Sequence, residues 1–571
     1  MKYKGISISQ GVAIGKVFLY RPYTFKPVEK KLGLGEYPEA LQRYETARRN
    51  ARAELEGICQ KLKDQEKAAI FNAHIDILYD ETIDEEIRDC ITTGGYREDW
   101  AIYCVFEKYI HLLEKGKDQL IRERVTDLQD VKNRLLRCHA GVPDRDLGRL
   151  EHPVVIVTHD LMPSDTANLD QSKVLGLVTE IAGPTSHSAI IARSYGIPLL
   201  CVEGATELLE HGDFVIVDAL AGELVVHPEK NTIDLYERKR MDWVAQREDL
   251  ERYRWVRPVC TDGTGIKVEL NLGSATPGEL EGANYTDGAG LFRTEFLYMG
   301  RSQPPSEDEQ YELYKKVLLQ FGERPVTLRT LDIGGDKTVE CLKLPKEQNP
   351  FLGKRALRLC FEEPKMFKTQ LRAALRASAH GNLRIMFPMV ASIDDIRKAK
   401  AFLRETQEEL IAEQIPFATG LKIGIMIEIP AIAMMADCVV QEVDFASIGT
   451  NDLTQYSLAV DRMNPLVSGY YQSYHPALFR MIGIVAREFQ KANKPLCVCG
   501  ELAGDPLAAA VLIGLGIREL SMGISSVARI KKLICSLSRE DAEKLARGVQ
   551  ELSTAEEVEN YLKTALKKIT D

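Results

Sequence analysis

No apolar stretch in these 571 residues approaches the length of a bilayer-crossing helix, which argues against membrane insertion. The amino terminus lacks the apolar core of a secretory signal: Met1-Lys2-Tyr3-Lys4-Gly5 runs straight into an alternating strand pattern. The chain therefore reads as cytoplasmic. Positive charge is in deficit, 74 Lys and Arg against 84 Asp and Glu, for a formal net charge of -10. That balance speaks against a general nucleic-acid binder and suits docking to a partner with a basic face. Paired CxxC spacings are missing from the twelve cysteines, so neither a zinc ribbon nor a disulfide scaffold is indicated. The cysteines read as small buried residues of a reducing compartment. Of the pair Cys497-Val498-Cys499, at most one thiol is expected to face a pocket.

At this length one hydrophobic core does not suffice, and roughly three or four domains are expected. Residues 5–9 and 12–19 read as two short strands. From 34 to about 137 the pattern turns helical: Leu41, Tyr44, Ala47, Ala51, Leu55 and Cys59 recur at helix spacing, and further apolar stripes follow at 70–78, 83–91, 100–113 and 128–136. An inserted antiparallel bundle of about four helices accounts for them. Residues 143–228 revert to short apolar runs (154–157, 174–178, 214–217, 223–226) between helices. Residues 231–255 hold many charges and no Gly or Pro, and read as a connecting helix that bridges domains and can swivel. Beyond 259, strand-like runs recur in a βα rhythm at 268–272, 288–291, 326–331, 385–387, 423–427, 445–448, 496–498 and 519–522. Eight such runs in roughly three hundred residues predict a (β/α)8 barrel. The expected architecture is multidomain α/β: an N-terminal α/β domain over 1–230 with a helical subdomain inserted at 34–142, a linker helix at 231–258, and a C-terminal barrel over 259–571.

The segment Gly183-Pro184-Thr185-Ser186-His187-Ser188-Ala189-Ile190-Ile191-Ala192-Arg193 sets a histidine between hydroxyl residues where a helical pattern begins. Unpaired backbone N–H groups and the helix dipole at such a start favour an added phosphoryl group. A Ser/Thr-capped helix whose histidine merely packs is the competing reading. In a (β/α)8 barrel the chemistry sits at the carboxyl ends of the strands. Those ends carry Asn271, Arg293, Arg329, Met389, Glu428, Asn451, Asp452 and Cys499. Arginine forks hold phosphate and carboxylate bidentately, and Arg293, Arg329, Arg355, Arg358 and Arg462 are candidates. Glu428 and Asp452 offer hard oxygen ligands suited to Mg2+ or Mn2+ rather than zinc; helix caps or ion pairs are the alternative. Cys499, beside Gly500, is a candidate general acid toward a developing carbanion, against the default of an inert buried thiol.

Taken in order, these segments resemble, over nearly the whole chain, the Enzyme I family of the bacterial phosphotransferase system, the phosphoenolpyruvate–protein phosphotransferases. The resemblance rests on Thr185-Ser186-His187-Ser188-Ala189-Ile190 and, in the barrel half, on 293–299, 329–337, 349–353, 428–430, 451–462 and 499–505. It implies that His187 is the nucleophile that takes the phosphoryl group, its imidazole held by the hydroxyl of Thr166. It implies that Arg293, Arg329, Arg355, Asn451 and Arg462 hold phosphoenolpyruvate, that Glu428 and Asp452 bind Mg2+ (or Mn2+), and that Cys499 protonates the enolate to pyruvate. The group then passes to the histidine-containing phosphocarrier protein (HPr), the first step of sugar phosphotransferase transport. Glu66, His74, Leu78 and Asp80 of the helical insertion are the docking candidates, and the barrel provides a homodimer interface. The histidine must travel between sites, with the 231–255 helix as pivot.

Two features depart from the family pattern. Ala182-Gly183-Pro184 stands where two glycines and a variable residue are usual, restricting φ and removing an N–H, and Glu180 stands where aspartate is common. Phosphoenolpyruvate synthases and pyruvate phosphate dikinases share the histidine domain and barrel, but need a large ATP-binding domain ahead of the histidine unit. A regulatory relay on the same scaffold is the other alternative, and the carrier, of sugar or nitrogen-regulatory type, stays open.

Overall fold

Among the described residues, eight strands lie in the first part of the chain: β1 (Lys2–Lys4), β2 (Ile6–Ser9), β3 (Val12–Leu19), β4 (Val154–Thr158), β5 (Val174–Thr179), β6 (Leu199–Cys201), β7 (Phe214–Asp218) and β8 (Glu223–Val226). They form one sheet in the order β1-β8-β7-β3-β4-β5-β6-β2, parallel from β3 through β6 and antiparallel elsewhere. The computed structural model describes residues 1–21, 25–33, 35–61, 65–114, 119–142, 147, 150–161, 165, 169–181, 186–335, 339, 341–342 and 347–570. The chain divides into two units, Met1–Gln246 and Arg247–Asp571.

The central strands of the sheet are apolar runs because both faces are covered. Val155 and Val157 pack with Val215 and Val217 on one face, while Ile156 packs with Leu177 and Leu199 on the other. Between β3 and β4 the described residues form five helices, Tyr37–Lys61, Gln65–Leu78, Glu81–Thr92, Glu98–Glu114 and Gln119–His139, rather than about four. The extra element arises at Asp80, whose carboxylate caps the third helix by accepting N–H bonds from Thr82 and Ile83, both at 3.0 Å. Ile83, Ile87 and Ile91, spaced by four, turn one face of that helix into the bundle core. Buried Glu98 ties three helices together, accepting from Arg43 Nε at 2.5 Å and pairing with His139 Nε2 at 3.0 Å.

A single helix, Lys230–Tyr253, follows β8. The second unit is a closed barrel of eight parallel strands: β9 (Lys267–Leu272), β10 (Ala289–Phe292), β11 (Val326–Arg329), β12 (Leu383–Phe387), β13 (Lys422–Ile427), β14 (Phe445–Ile448), β15 (Leu496–Val498) and β16 (Glu519–Met522), with β16 paired back to β9. Alternation sets its two faces. On β9, Val268, Leu270 and Leu272 belong to the core shared with the surrounding helices, while Glu269 and Asn271 project to the inside. The helices answer with an apolar stripe. In Pro476–Lys491, Leu478, Phe479, Ile482, Val485, Ala486 and Phe489 are buried, Pro476 opens the helix at its first turn, and His475 Nδ1 caps it by accepting the Ala477 N–H at 3.2 Å. Truncating one of its aromatics, Phe479, removes about 3–5 kcal/mol of packing.

Candidate active site

At the carboxyl end of the barrel the inward side chains surround a cavity of about 490 Å³. Its lining includes Arg293, Arg329, Asp332, Glu428, Asn451, Asp452, Arg462 and Cys499. The substrate, metal and thiol candidates thus meet in one place, with two exceptions, the first of them Arg355. That residue is 2% exposed and stands behind the wall, donating from Nη2 to Asp332 Oδ1 (2.9 Å) and from Nη1 to Tyr456 Oη (3.0 Å), with Nη2 also 3.4 Å from Asp452 Oδ2. It orients the carboxylates rather than lining the cavity. Arg358 is not part of the set either: it holds the preceding loop through the Leu352 and Gly353 carbonyls at 2.8 and 3.1 Å.

Asp332 organises the cationic wall. Besides its bonds to Arg355, it pairs with Arg329 Nη1 at 3.0 Å, and Arg329 Nη2 also donates to Glu295. Burial disfavours both guanidinium charges, and these carboxylates more than offset it, holding each arginine above its ordinary range. Some donor capacity is left over. Arg329 Nε is buried without a hydrogen-bond partner, and the exposed side chain of Arg293 stands on the cavity wall. An unfilled buried donor of this kind calls for an anionic ligand.

Across the cavity, Glu428 accepts the Met389 N–H at 2.5 Å, from a residue held in the left-handed region at φ 53°. Burial, then the neighbouring Asp452 and Asp332 charges, push Glu428 up to about 8. Asp452 Oδ1 is buried with no hydrogen-bond partner. Asn451 fixes the adjoining loop, its Oδ1 accepting the Glu501 N–H at 3.0 Å.

Cys499 is 3% exposed, and burial pushes its thiol up to about 11, so at neutral pH it carries a proton to give. Its main chain is pinned by Asn271, which donates to the Cys499 carbonyl at 2.8 Å and accepts from Ser521 Oγ at 2.7 Å. Only Cys499 lines the cavity, but the reason is depth, not face. Residues two apart on a strand share a side, and Cys497 lies one layer lower inside the barrel, 3.9 Å from Glu269 Oε2.

In the first unit, Ser186 caps the helix His187–Tyr195 by accepting the Ala189 N–H at 3.2 Å, and Gly196 closes it at φ 63°. His187 is therefore its first residue. Its side chain, like Thr166 and the unusual residues Ala182 and Pro184, lies outside the described residues. The next side chain, Ser188, is fully buried and donates to Asp160 Oδ1 at 2.8 Å, anchoring the start of the helix to the loop after β4. Glu180 is a tie between segments: one oxygen meets His159 Nδ1 at 2.5 Å, the other accepts from the Thr206 N–H and hydroxyl at 2.8 and 2.6 Å.

The docking candidates separate. His74 (1% exposed, Nε2 3.1 Å from Asp127 Oδ1) and Leu78 (4%) belong to the bundle interior, so their spacing reports the core and not a contact surface. Asp80 is exposed but already caps a helix, and the Glu66 side chain lies outside the described residues. Missed in the sequence were Asp332, Glu295 and Tyr456, although Asp332 stands one helical turn's spacing from Arg329 in a segment already singled out.

Three family models match the chain: "PEP-utilising enzyme, PEP-binding domain" over residues 247–539, "PEP-utilising enzyme, N-terminal" over 4–124, and "PEP-utilising enzyme, mobile domain" over 150–222. The chain is 43% identical to the phosphoenolpyruvate-protein phosphotransferase of Bacillus sp. (strain S) over 565 residues, 98% of this chain and 97% of the relative. Identity to the protein of the same name from Geobacillus stearothermophilus is also 43%, with the same coverage. It is 40% to the one from Bacillus subtilis (strain 168), over 99% of each chain.

Proposed function

The chain belongs to the phosphoenolpyruvate–protein phosphotransferase (Enzyme I) family, and from that premise we propose how its residues divide the reaction. The enzyme takes the phosphoryl group of phosphoenolpyruvate onto itself, releases pyruvate and passes the group to a phosphocarrier protein of the phosphotransferase system. His187 is the proposed acceptor. The observation that carries this reading is the cavity in which three arginines, one of them with an unfilled buried donor, two buried carboxylates and a protonated thiol converge.

In that cavity Arg293 and Arg329 hold the phosphoryl oxygens, and Asn451 and Arg462 the carboxylate end of the substrate. Arg355, through Asp332 and Asp452, keeps the wall in register. Phosphoryl transfer gains most from such positioning and charge neutralisation. Glu428 and Asp452 suit a hard divalent cation, Mg2+ or Mn2+: both donate oxygen, Asp452 Oδ1 is buried without a hydrogen bond and meets only Arg462 Nη2, at 3.9 Å, and burial and the neighbouring carboxylates raise Glu428. No group of three His, Cys, Asp or Glu side chains able to hold a metal occurs among the described residues. Bound there, such a cation neutralises phosphoryl and enolate oxygens. As the bond from phosphorus to the enol oxygen breaks and one to the His187 imidazole forms, Cys499 gives its proton to the methylene carbon of the enolate, leaving pyruvate and a thiolate.

No helix among the described residues is long and apolar enough to cross a membrane. A cytoplasmic enzyme that docks HPr on its helical insertion, pairs through its barrel and uses the Lys230–Tyr253 helix as pivot completes the proposal. Incubation with phosphoryl-labelled phosphoenolpyruvate and Mg2+ tests it. Label is expected on the wild-type chain and absent from His187→Ala. Pyruvate release with no protein-bound label means hydrolysis instead, and labelling of His187 by ATP means a dikinase-type reaction.

A further inference from the structure

Phosphoenolpyruvate is charged at its phosphoryl and carboxylate ends, and its C3 methylene is the part that offers no polar atom. We propose that Leu291 and Met426 form an apolar floor that receives this methylene and restricts the enzyme to enol phosphates unsubstituted at C3. The inference adds a size filter to the division of roles above and rests on the same reading of the cavity as the substrate site.

The lining changes character at this floor. Arginines, carboxylates and an amide supply the polar wall, whereas Leu291 and Met426, both buried, line the same cavity with hydrocarbon and a thioether. Strand alternation puts them there. On β13, Ile425 and Ile427 belong to the core shared with the outer helices, so Met426 between them points into the barrel; Met386, between Ile385 and Phe387 on β12, does the same. Leu291, Met386, Met426, Phe445 and Cys499 form a small apolar cluster of their own. The thiol that gives its proton to C3 is thus a member of the floor. A methylene set against the arginines or carboxylates instead would desolvate charge without return, so floor and thiol together decide which way round the substrate lies.

The floor has little room to sink. Met386 and Phe445 behind it are buried, and the Phe445 ring lies so close over Gly424 that a Cβ there would come within 2.6 Å of it. Met426 is held from two sides. Its Sδ accepts from Arg329 Nη1 at 3.7 Å, and a Cβ on Gly449 would come within 3.1 Å of its Cγ and Sδ. Close-packed atoms resist an added methyl group, and an apolar pocket discriminates one carbon by roughly tenfold to two-hundredfold.

Steady-state release of the 2-oxo acid with excess phosphocarrier protein tests the floor, comparing phosphoenolpyruvate with its C3-methyl homologue supplied as each geometric isomer. The readout is the ratio of the two kcat/KM values, which a partly inactive preparation leaves unchanged. In Leu291→Ala and in Met426→Ala the preference for phosphoenolpyruvate over at least one isomer is expected to fall roughly tenfold or more. Leu291→Met and Met426→Leu, which keep the volume, are expected to hold the wild-type ratio. Arg293→Ala, on the polar wall, is expected to lower kcat/KM for both substrates by a similar factor. A wild-type ratio in one alanine variant removes that residue from the floor. A wild-type ratio in both, or an equal shift in the volume-keeping variants, overturns the floor although the cavity still takes substrate. Wild-type kcat/KM in Arg293→Ala overturns the placement of substrate in this cavity.

Discussion

Replacing Asp332 with Asn is a direct test of how the cationic wall is held. One carboxylate, 1% exposed, serves two buried guanidiniums, through Arg355 Nη2 at 2.9 Å and Arg329 Nη1 at 3.0 Å. The amide preserves shape but removes the charge, leaving Glu295 on Arg329 and the longer contact to Asp452 on Arg355. Breaking a buried pair from one side costs about 3–5 kcal/mol. With an unfolding entropy of about 2 cal/mol/K per residue, the second unit, Arg247–Asp571, loses roughly 1.5 °C per kcal/mol, so its transition should fall by about 4–8 °C. Scanning calorimetry of the full chain, in a His187→Ala background to prevent turnover, reads this with and without phosphoenolpyruvate and Mg2+. The substrate's anionic groups take over part of the lost carboxylate's task, so saturating ligand should stabilise the Asp332→Asn chain more than its parent. A transition within about a degree of the parent, with the same ligand increment, would refute the claim that Asp332 neutralises these arginines.

In the helical insertion, burial alone would raise Glu98, but hydrogen bonds from His139 and Arg43 outweigh it and hold the carboxylate down at about 2. A depressed folded value means stability present above the usual carboxylate range and lost on acidification. Unfolding of the helical region should therefore become easier between about pH 4.5 and 2. In Glu98→Gln that dependence should flatten, with far-UV circular dichroism against pH as the measurement, and an unchanged acid profile would discard the assignment. At Gly500, a Cβ would strike the Thr450 hydroxyl and approach its backbone nitrogen to 2.7 Å, pushing the loop that carries Cys499 away from the helix Thr450–Leu458, whose first turn carries Asn451. Gly500→Ala should cut kcat by roughly tenfold or more through misplaced groups and lower the thermal transition as well; wild-type turnover would show that the loop tolerates the shift.

The barrel was legible because its strands are apolar runs at regular spacing, and the strand ends could be named before their neighbours were known. Arg293, Arg329, Glu428, Asn451, Asp452 and Cys499 converge because period-two alternation and the parallel barrel leave strand-end side chains a common direction. Depth was not legible. Nothing local distinguishes Arg355, buried behind the wall, from Arg293 on it, or places Cys497 a layer below Cys499. In the helical insertion the same limit applied differently. His74 and Leu78 fall on an apolar helical face whether that face meets a partner or the bundle's own interior, and burial decided for the interior. Asp332 went unassigned because its importance lies in two arginines, one of them 23 residues away in sequence.

The central claim is that one cavity and one histidine are the two halves of a single phosphoryl transfer. Its sharpest test counts products with no phosphocarrier present. The account predicts a single burst in which pyruvate and phosphohistidine at His187 form in equal amounts, one per chain, after which pyruvate formation stops until a phosphocarrier is added. Pyruvate that continues to accumulate without carrier, or that forms in the burst while His187 stays unmodified, would contradict it.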